Sequence, residues 1–156
     1  MKTRMLVLIS FLVLGVLIVA GSCATGKKAY VVQEDEELFG TWINPDYDEK
    51  MTAAKIIYEP DGVSRGFGTA NTTMEAWNAK FTITDKWIDD EGIIWYKLFG
   101  TDMKVGSHSI PQSDYYYLCK ISDSGRVFEF SRSSDDYPPE VNPDNLRYPT
   151  RIYYRQ

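Results

Sequence analysis

One stretch decides the fold class: Trp77–Ile88 reads WNAKFTITDKWI, Asp89–Gly92 reads DDEG, and Ile93–Phe99 reads IIWYKLF. Within its first part the side chains alternate, with Trp77, Ala79, Phe81, Ile83 and Trp87 on one face and Asn78, Lys80, Thr82 and Thr84 on the other. A period of two is typical of a half-buried β-strand. The acidic turn that ends in Gly predicts a hairpin with a type I turn, followed by Gly in the left-handed region.

The same hairpin signal occurs twice more, at Glu59–Gly62 and at Ser122–Gly125. The predicted strands are 39–43, 53–58, 63–69, 77–88, 93–99, 115–121, 126–131 and 151–155. No window of ten or more residues after Cys23 shows the 3.6-residue stripe of an amphipathic helix. The sequence therefore predicts an all-β fold, an antiparallel up-and-down meander of about eight strands closed into a barrel, with a β-sandwich as the alternative.

The N-terminus has the layout of a secretory signal. Met1–Arg4 carries two positive charges, and Met5–Ala20 is an apolar run of sixteen residues broken only by Ser10 and Gly15. As a helix this run would span about 24 Å, which is shorter than the ~30 Å hydrocarbon core of a bilayer. A positive start, an apolar middle and small residues after it favour a cleaved signal.

The segment Ala20-Gly21-Ser22-Cys23 resembles the lipobox of bacterial lipoproteins, although Ala20 stands where Leu is usual. The resemblance implies a signal peptide at 1–22 and a Cys23 that carries diacylglycerol and an amide-linked acyl group such as palmitate. It implies a membrane-anchored protein of the cell envelope, and Ala24 after the cysteine points to the outer membrane, on its periplasmic or surface face. The alternatives are an uncleaved transmembrane anchor or an ordinary cleaved signal, and without lipidation a Cys23–Cys119 disulfide.

Charge and cysteine content exclude several classes of function. Removing Lys2 and Arg4 with the signal leaves 15 of the 17 bases against 22 acids, a net charge of −7, which argues against nucleic acid as a partner. One His and two Cys are too few for an ordinary zinc site. Residues 23–37 end in the acidic Glu34–Glu37 and predict a solvated, flexible tether.

Gly40-Thr41-Trp42 at the start of the first predicted strand resembles the first-strand Gly-x-Trp of the lipocalin and calycin group. That resemblance implies a barrel over 38–156, closed at one end by an Arg of the last strand that covers the Trp. Arg155 is the first candidate and Arg151 the second. Lipocalins carry a helix before the last strand, whereas 132–150 contains four prolines that prevent one. Short motifs of this chain also look like small bacterial lipoproteins of uncharacterised role.

Eight-stranded barrels either fill with side chains or hold one small ligand. The tentative lining residues are Trp77, Phe81, Trp95, Tyr117, Phe128 and Tyr154. If they enclose space, we expect a non-enzymatic binding module for a small apolar or aromatic ligand. If they pack as a core, we expect a structural or protein-interaction lipoprotein that contacts another envelope protein. Tyr116 and Tyr153 are predicted to face outward.

No arrangement of residues indicates an enzyme, a metal site or a cofactor. His108 lies in Gly-Ser-His-Ser without a Gly-x-Ser-x-Gly elbow or an orienting acid in sequence. The acidic groups at Asp89–Glu91 and Asp135-Asp136 lack the spacing of a calcium loop. Cys119, within a strand, is expected to be a small buried apolar residue.

Overall fold

The computed structural model describes residues 30–33, 35–47 and 53–156. The predicted signal peptide and Cys23 lie outside these residues. The strands are β1 Gly40–Ile43, β2 Lys55–Tyr58, β3 Val63–Phe67, β4 Glu75–Ile88, β5 Ile94–Val105, β6 His108–Ser109, β7 Tyr115–Ser122, β8 Val127–Ser133 and β9 Arg151–Arg155. In the part of the chain that the structure describes, no helix is long and apolar enough to cross a bilayer.

Eight of the strands form a closed antiparallel up-and-down barrel. Each pairs with its neighbour along the chain, β5 pairs with β7, and β1 pairs with β9 to close the ring. The short β6 is an additional strand on the far end of β5. The predicted all-β barrel is confirmed, and the sandwich is not what the chain forms. Closure leaves no full-length sheet edge open to another chain.

The three predicted hairpins form, but only two have the predicted turn. Gly62 and Gly92 have φ of +82° and +79°, and each amide donates to the carbonyl three residues earlier, as in a type I turn followed by a left-handed Gly. In the third hairpin Asp123 and Ser124 both have positive φ, at +50° and +53°. Two successive left-handed residues resemble a type I′ turn, so the type I prediction there is wrong.

The predicted inward position of Trp87 is also wrong. The β4–β5 register shifts between Ile83 and Asp85, and this irregularity reverses the alternation along the rest of β4. Lys86 therefore takes the inward position beside Tyr96, while Trp87 lies outside with 38% of its surface exposed. The sequence alone does not reveal the shift, because the polar residues on both sides of it fit either register.

The hairpin end of the barrel is closed by Trp42 and Arg155. Trp42 is fully buried, and its Nε1 donates to the Leu38 carbonyl at 2.8 Å. The Arg155 guanidinium lies 4.4 Å from the Trp42 ring centroid, which is the arrangement that the lipocalin resemblance implies. Its nitrogens also donate to the carbonyls of Gly125, Phe39 and Glu37. A Cβ on Gly40 would lie 3.3 Å from Arg155 Nη1, so a side chain there would crowd the guanidinium.

The segment before β1 packs into this closed end. Leu38, predicted to begin the barrel, is fully buried, and Glu36, within the tether predicted for 23–37, is 3% exposed. The solvated part of this segment therefore does not include Glu36. Glu36 Oε2 lies 2.6 Å from Lys86 Nζ and accepts a 3.1 Å hydrogen bond from the Tyr96 hydroxyl. Tyr30 donates to the other oxygen of the same carboxylate. A buried glutamate is tolerated here because its oxygens are paired and hydrogen-bonded.

Aromatic rings fill the barrel next to Trp42. Phe128 lies 5.1 Å from Trp42 and 5.6 Å from Tyr58, measured between ring centroids. Tyr153 stacks on Phe130 at 5.9 Å and donates from its hydroxyl to the Ala53 carbonyl at 2.7 Å. Tyr153, predicted to face outward, is fully buried. The Trp42 N–H and the Tyr153 hydroxyl each donate to a backbone carbonyl, so the polar ends of these two buried rings are satisfied.

Candidate functional site

The open end of the barrel is the candidate site. The three tight hairpins and the Trp42–Arg155 closure occupy one end, so antiparallel order places the longer connections at the other. These connections are 44–54 (of which 48–52 are outside the described residues), 68–74, 106–114 and 134–150. Binding residues are often carried by loops on a rigid scaffold, which directs attention to this end.

Two aromatic rings enter the barrel near the open end through spaces that glycines leave. Gly66 pairs with Trp77 across β3 and β4, and a Cβ on Gly66 would come within 2.0 Å of the indole. A Cβ on Gly100 would come within 3.0 Å of the Tyr117 ring. Both rings therefore lie directly over a glycine backbone. Gly inside a strand is a sequence signal for such close approach, and both glycines carry it.

The interior between these rings is nearly filled. The cleft inside the open end has about 20 Å³ of free space, enough for about one water molecule. Its lining residues are Ile56, Tyr58, Ser64, Trp77, Ala79, Lys80, Phe81, Leu98, Gly100, Met103, Tyr117, Phe130 and Arg132. Sites for small organic ligands usually have ~300–1,000 Å³, so this space is far too small for one in the present conformation.

Three of the six predicted lining residues, Trp77, Phe81 and Tyr117, border this cleft. Phe128 lies deeper, fully buried in the packed core.

Trp95 and Tyr154 lie on the outside of the barrel. Trp95 stacks on Trp87 at 5.8 Å and donates from Nε1 to Asp89 at 2.8 Å, because its neighbour Tyr96 takes the inward position. Tyr154 is 46% exposed, because Tyr153 faces the core. Neither can line the interior in this register.

A larger groove opens beside the cleft, outside the barrel wall. It holds about 510 Å³ between the ends of β4 and β5 and the loop that follows them, and Ala79, Lys80 and Met103 border both spaces. Lys80 Nζ lies 2.8 Å from Asp102, across a register shift in this strand pair. Asp102 has a φ of +54° there. The groove therefore lies where the pairing of β4 and β5 is irregular.

Burial favours the neutral form of the thiol and of two tyrosine hydroxyls inside the barrel. Burial raises the pKa of the Cys119 thiol and of the Tyr58 hydroxyl well above their usual values. Burial also raises the pKa of Tyr117, although Arg132 acts in the opposite direction. A thiol that stays protonated is a poor nucleophile, so Cys119 is suited to packing.

The remaining chemical candidates are on the surface. His108 is exposed in β6, and among the described residues no carboxylate forms a hydrogen bond with its side chain. Across 30–33, 35–47 and 53–156, no three His, Cys, Asp or Glu side chains group closely enough to hold a metal ion. The residue that the sequence analysis missed is Arg132, which shares the inward parity of Phe128 and Phe130 and reaches the open end.

Compared with protein families, with curated proteins and with solved structures, the chain shows no match. A function must therefore be inferred from the geometry and from the sequence.

Changing Gly66 to Ala should displace the Trp77 ring from the barrel. The added Cβ would overlap the indole, and overpacking of this kind costs roughly 1–3 kcal/mol of unfolding free energy. Gly68→Ala is the matched control, because nothing lies within 4 Å of a Cβ at that position. Urea unfolding with near-UV circular dichroism measures both effects. Equal stability of the two variants would show that Trp77 does not lie over Gly66.

Proposed function

We propose that the protein is a lipid-anchored protein of the bacterial cell envelope whose barrel is an interaction module for another envelope protein. Export by residues 1–22 and lipidation of Cys23 are supported by the sequence pattern. The outer membrane, on its periplasmic or surface face, is the proposed location. The interaction role is supported by one observation above all: the interior is nearly filled, while the open clefts lie outside it.

The direction in which the chain enters the barrel supports this arrangement. At the closed end, the Tyr30 hydroxyl donates a hydrogen bond to Glu36, and Lys86 forms an ion pair with the same carboxylate. Only seven peptide steps separate Cys23 from Tyr30, which reach at most about 25 Å. A lipid on Cys23 would keep the closed end near the bilayer. The open end would then face away from the membrane, toward a partner.

Mass spectrometry of the membrane-extracted protein tests the anchor. We expect a mature chain that begins at Cys23 with the added mass of a diacylglyceryl group and an acyl chain. The Cys23→Ser variant should lose this mass and the membrane attachment, because one or more acyl chains supply the binding energy. An unmodified Cys23 in the mature chain would refute the anchor.

A photoreactive amino acid in place of Leu146, which is 92% exposed in the loop 134–150, tests the interaction role. The same amino acid in place of Glu91, in the closed-end hairpin, is the matched control. Irradiation of cells should give a discrete protein adduct from position 146 and none from position 91. Equal adducts from both positions, or none from either, would contradict a partner at the open end.

A second candidate is the binding of a small apolar or aromatic ligand inside the barrel. The observation that favours it is the shared border of cleft and groove, which consists of Ala79, Lys80 and the adaptable side chain of Met103. A ligand would have to displace Met103 to enter. Native mass spectrometry distinguishes the two candidates, since a stoichiometric small molecule retained by the purified protein would support this one.

A further inference from the structure

Two arginines border one cleft at the open end, and neither is paired with an acid among the described residues. Arg132 projects from β8, and Arg147 projects from the loop before β9. Together with two serines, two tyrosines and one aspartate they border a space of about 290 Å³. Neither forms an ion pair within the described residues, although the chain has more acids than bases.

Both guanidinium groups are positioned by tyrosine rings. The Arg132 Cζ lies 4.8 Å from the Tyr115 ring centroid, and the Arg147 Cζ lies 5.2 Å from that of Tyr148. Stacking occupies one face of each guanidinium and leaves N–H groups at its edge for a ligand, although Arg132 also forms a hydrogen bond with the Tyr117 hydroxyl. Those edges form the fork that matches a carboxylate in two parallel hydrogen bonds.

The loop that carries Arg147 is held by a network of hydrogen bonds. The Asn145 side-chain oxygen accepts from the amides of Arg147 and Tyr148, at 3.0 and 3.2 Å. Ser131 Oγ donates to the Tyr148 carbonyl at 3.1 Å, which ties the loop to β8. Arg147 therefore starts from a fixed backbone, so less conformational entropy is lost when it binds a ligand.

One carboxylate also borders the cleft, and it limits which anion fits. Asp135 accepts from Ser134 Oγ at 3.1 Å, and its amide donates to Ser133 Oγ at 3.2 Å. Two guanidinium groups and one carboxylate leave a net charge of about +1. That charge matches the single charge of a carboxylate better than a phosphate group, which carries about −1.5 to −2 at pH 7.

We propose that the cleft between Arg132 and Arg147 binds carboxylate side chains of an acidic peptide segment. This assignment rests on the proposed interaction function, of which it specifies the partner's chemistry. Leu146, beside Arg147 and almost fully exposed, offers an apolar contact next to the charged pair. Arginine and tyrosine, the two residue types that supply the stacked pairs of this cleft, are enriched at the centres of protein interfaces.

Calorimetric titration of the full-length protein in detergent with a hexaglutamate peptide, at low salt, tests the proposal. We expect saturable binding that Arg132→Gln and Arg147→Gln each weaken about tenfold, the usual effect of losing a charge-assisted hydrogen bond. Arg126→Gln is the matched control, because that arginine is paired with Asp123 at the closed end and its loss should change nothing. Asp135→Asn should tighten binding, since it removes the opposing charge.

Several outcomes would overturn the assignment. The first is that the Arg132→Gln and Arg147→Gln variants bind the peptide as tightly as the wild type does. The second is that Arg126→Gln weakens binding as much as they do, and the third is that inorganic phosphate binds the cleft more tightly than the peptide. Because Arg147 is on an exposed loop, its variant should fold even if Arg132→Gln does not. If the adduct from position 146 persists while the peptide fails to bind, only this assignment fails and the interaction role stands.

Discussion

Replacing Trp42 with Ala should lower the free energy of unfolding by about 3–5 kcal/mol, the usual cost of truncating a buried tryptophan. The ring is fully buried, touches Phe128, and is covered by Arg155. Its loss would leave a cavity at the closed end and remove the surface on which the guanidinium rests. Neighbouring rings cannot fill that space without leaving their own contacts.

Urea unfolding of the full-length protein in detergent measures this effect. Trp87→Ala is the matched control, because Trp87 is partly exposed on the outer surface and contacts Trp95 there. We expect the control to lose less than about 1.5 kcal/mol, the value of an aromatic pair. A loss below about 1 kcal/mol for Trp42→Ala would mean that this ring does not close the barrel.

Replacing Lys86 with Met should destabilise the protein by about 3 kcal/mol. Glu36 would then keep a buried negative charge without its cation, which is the costly way to break a buried ion pair. The estimate is at the lower end for such pairs because one fifth of the Lys86 side chain is exposed. The double variant Glu36→Gln with Lys86→Met removes both charges of the buried pair and leaves Glu37, whose side chain is 45% exposed, as the charge in this cluster. It should regain most of the lost stability. A double variant as unstable as Lys86→Met alone would contradict this reasoning.

The same cluster predicts a dependence of stability on pH. Burial raises the pKa of Glu36, but hydrogen bonds from Lys86, Tyr30 and Tyr96 outweigh it and hold the pKa below its ordinary value. A depressed carboxyl pKa contributes stability above the unfolded value of about 4.3, and this contribution is lost as the pH falls through the folded value. Glu36→Gln should therefore show a smaller loss of stability below about pH 4 than the wild type, measured by unfolding at a series of pH values.

The strands could be predicted because their signals are local. Each hairpin has a turn that ends in Gly, and the alternation in β7 and β8 places Cys119, Phe128 and Phe130 inside, as the structure shows. The resemblance at Gly40-Thr41-Trp42 also gives the right partner for Trp42, because antiparallel closure brings Arg155 beside it.

The errors come from features that are not local. The outward position of Trp87 follows from one register shift in the β4–β5 pair. In β9 the inward side chain is that of Tyr153 and not of Tyr154, so the predicted alternation is displaced by one residue. The burial of Glu36 depends on its ion pair with Lys86, which is fifty residues away in the sequence. Because an acidic residue is seldom buried unless it is paired, the acidic stretch by itself predicts a solvated tether. The filled interior depends on the rings over Gly66 and Gly100. A Gly within a strand indicates that some group approaches closely, but the strand register is needed to identify Trp77 and Tyr117 as those groups.

Ring closure through β1 and β9 has a consequence for how the chain folds. The first and last strands of the barrel meet at Trp42 and Arg155, so no shorter nascent chain can complete the structure. Until residues near 155 leave the ribosome or the export channel, β1 and β8 each have an unpaired edge that can form hydrogen bonds with strands of other chains. Such distant pairing slows folding, and premature termination should yield aggregates rather than a smaller native barrel.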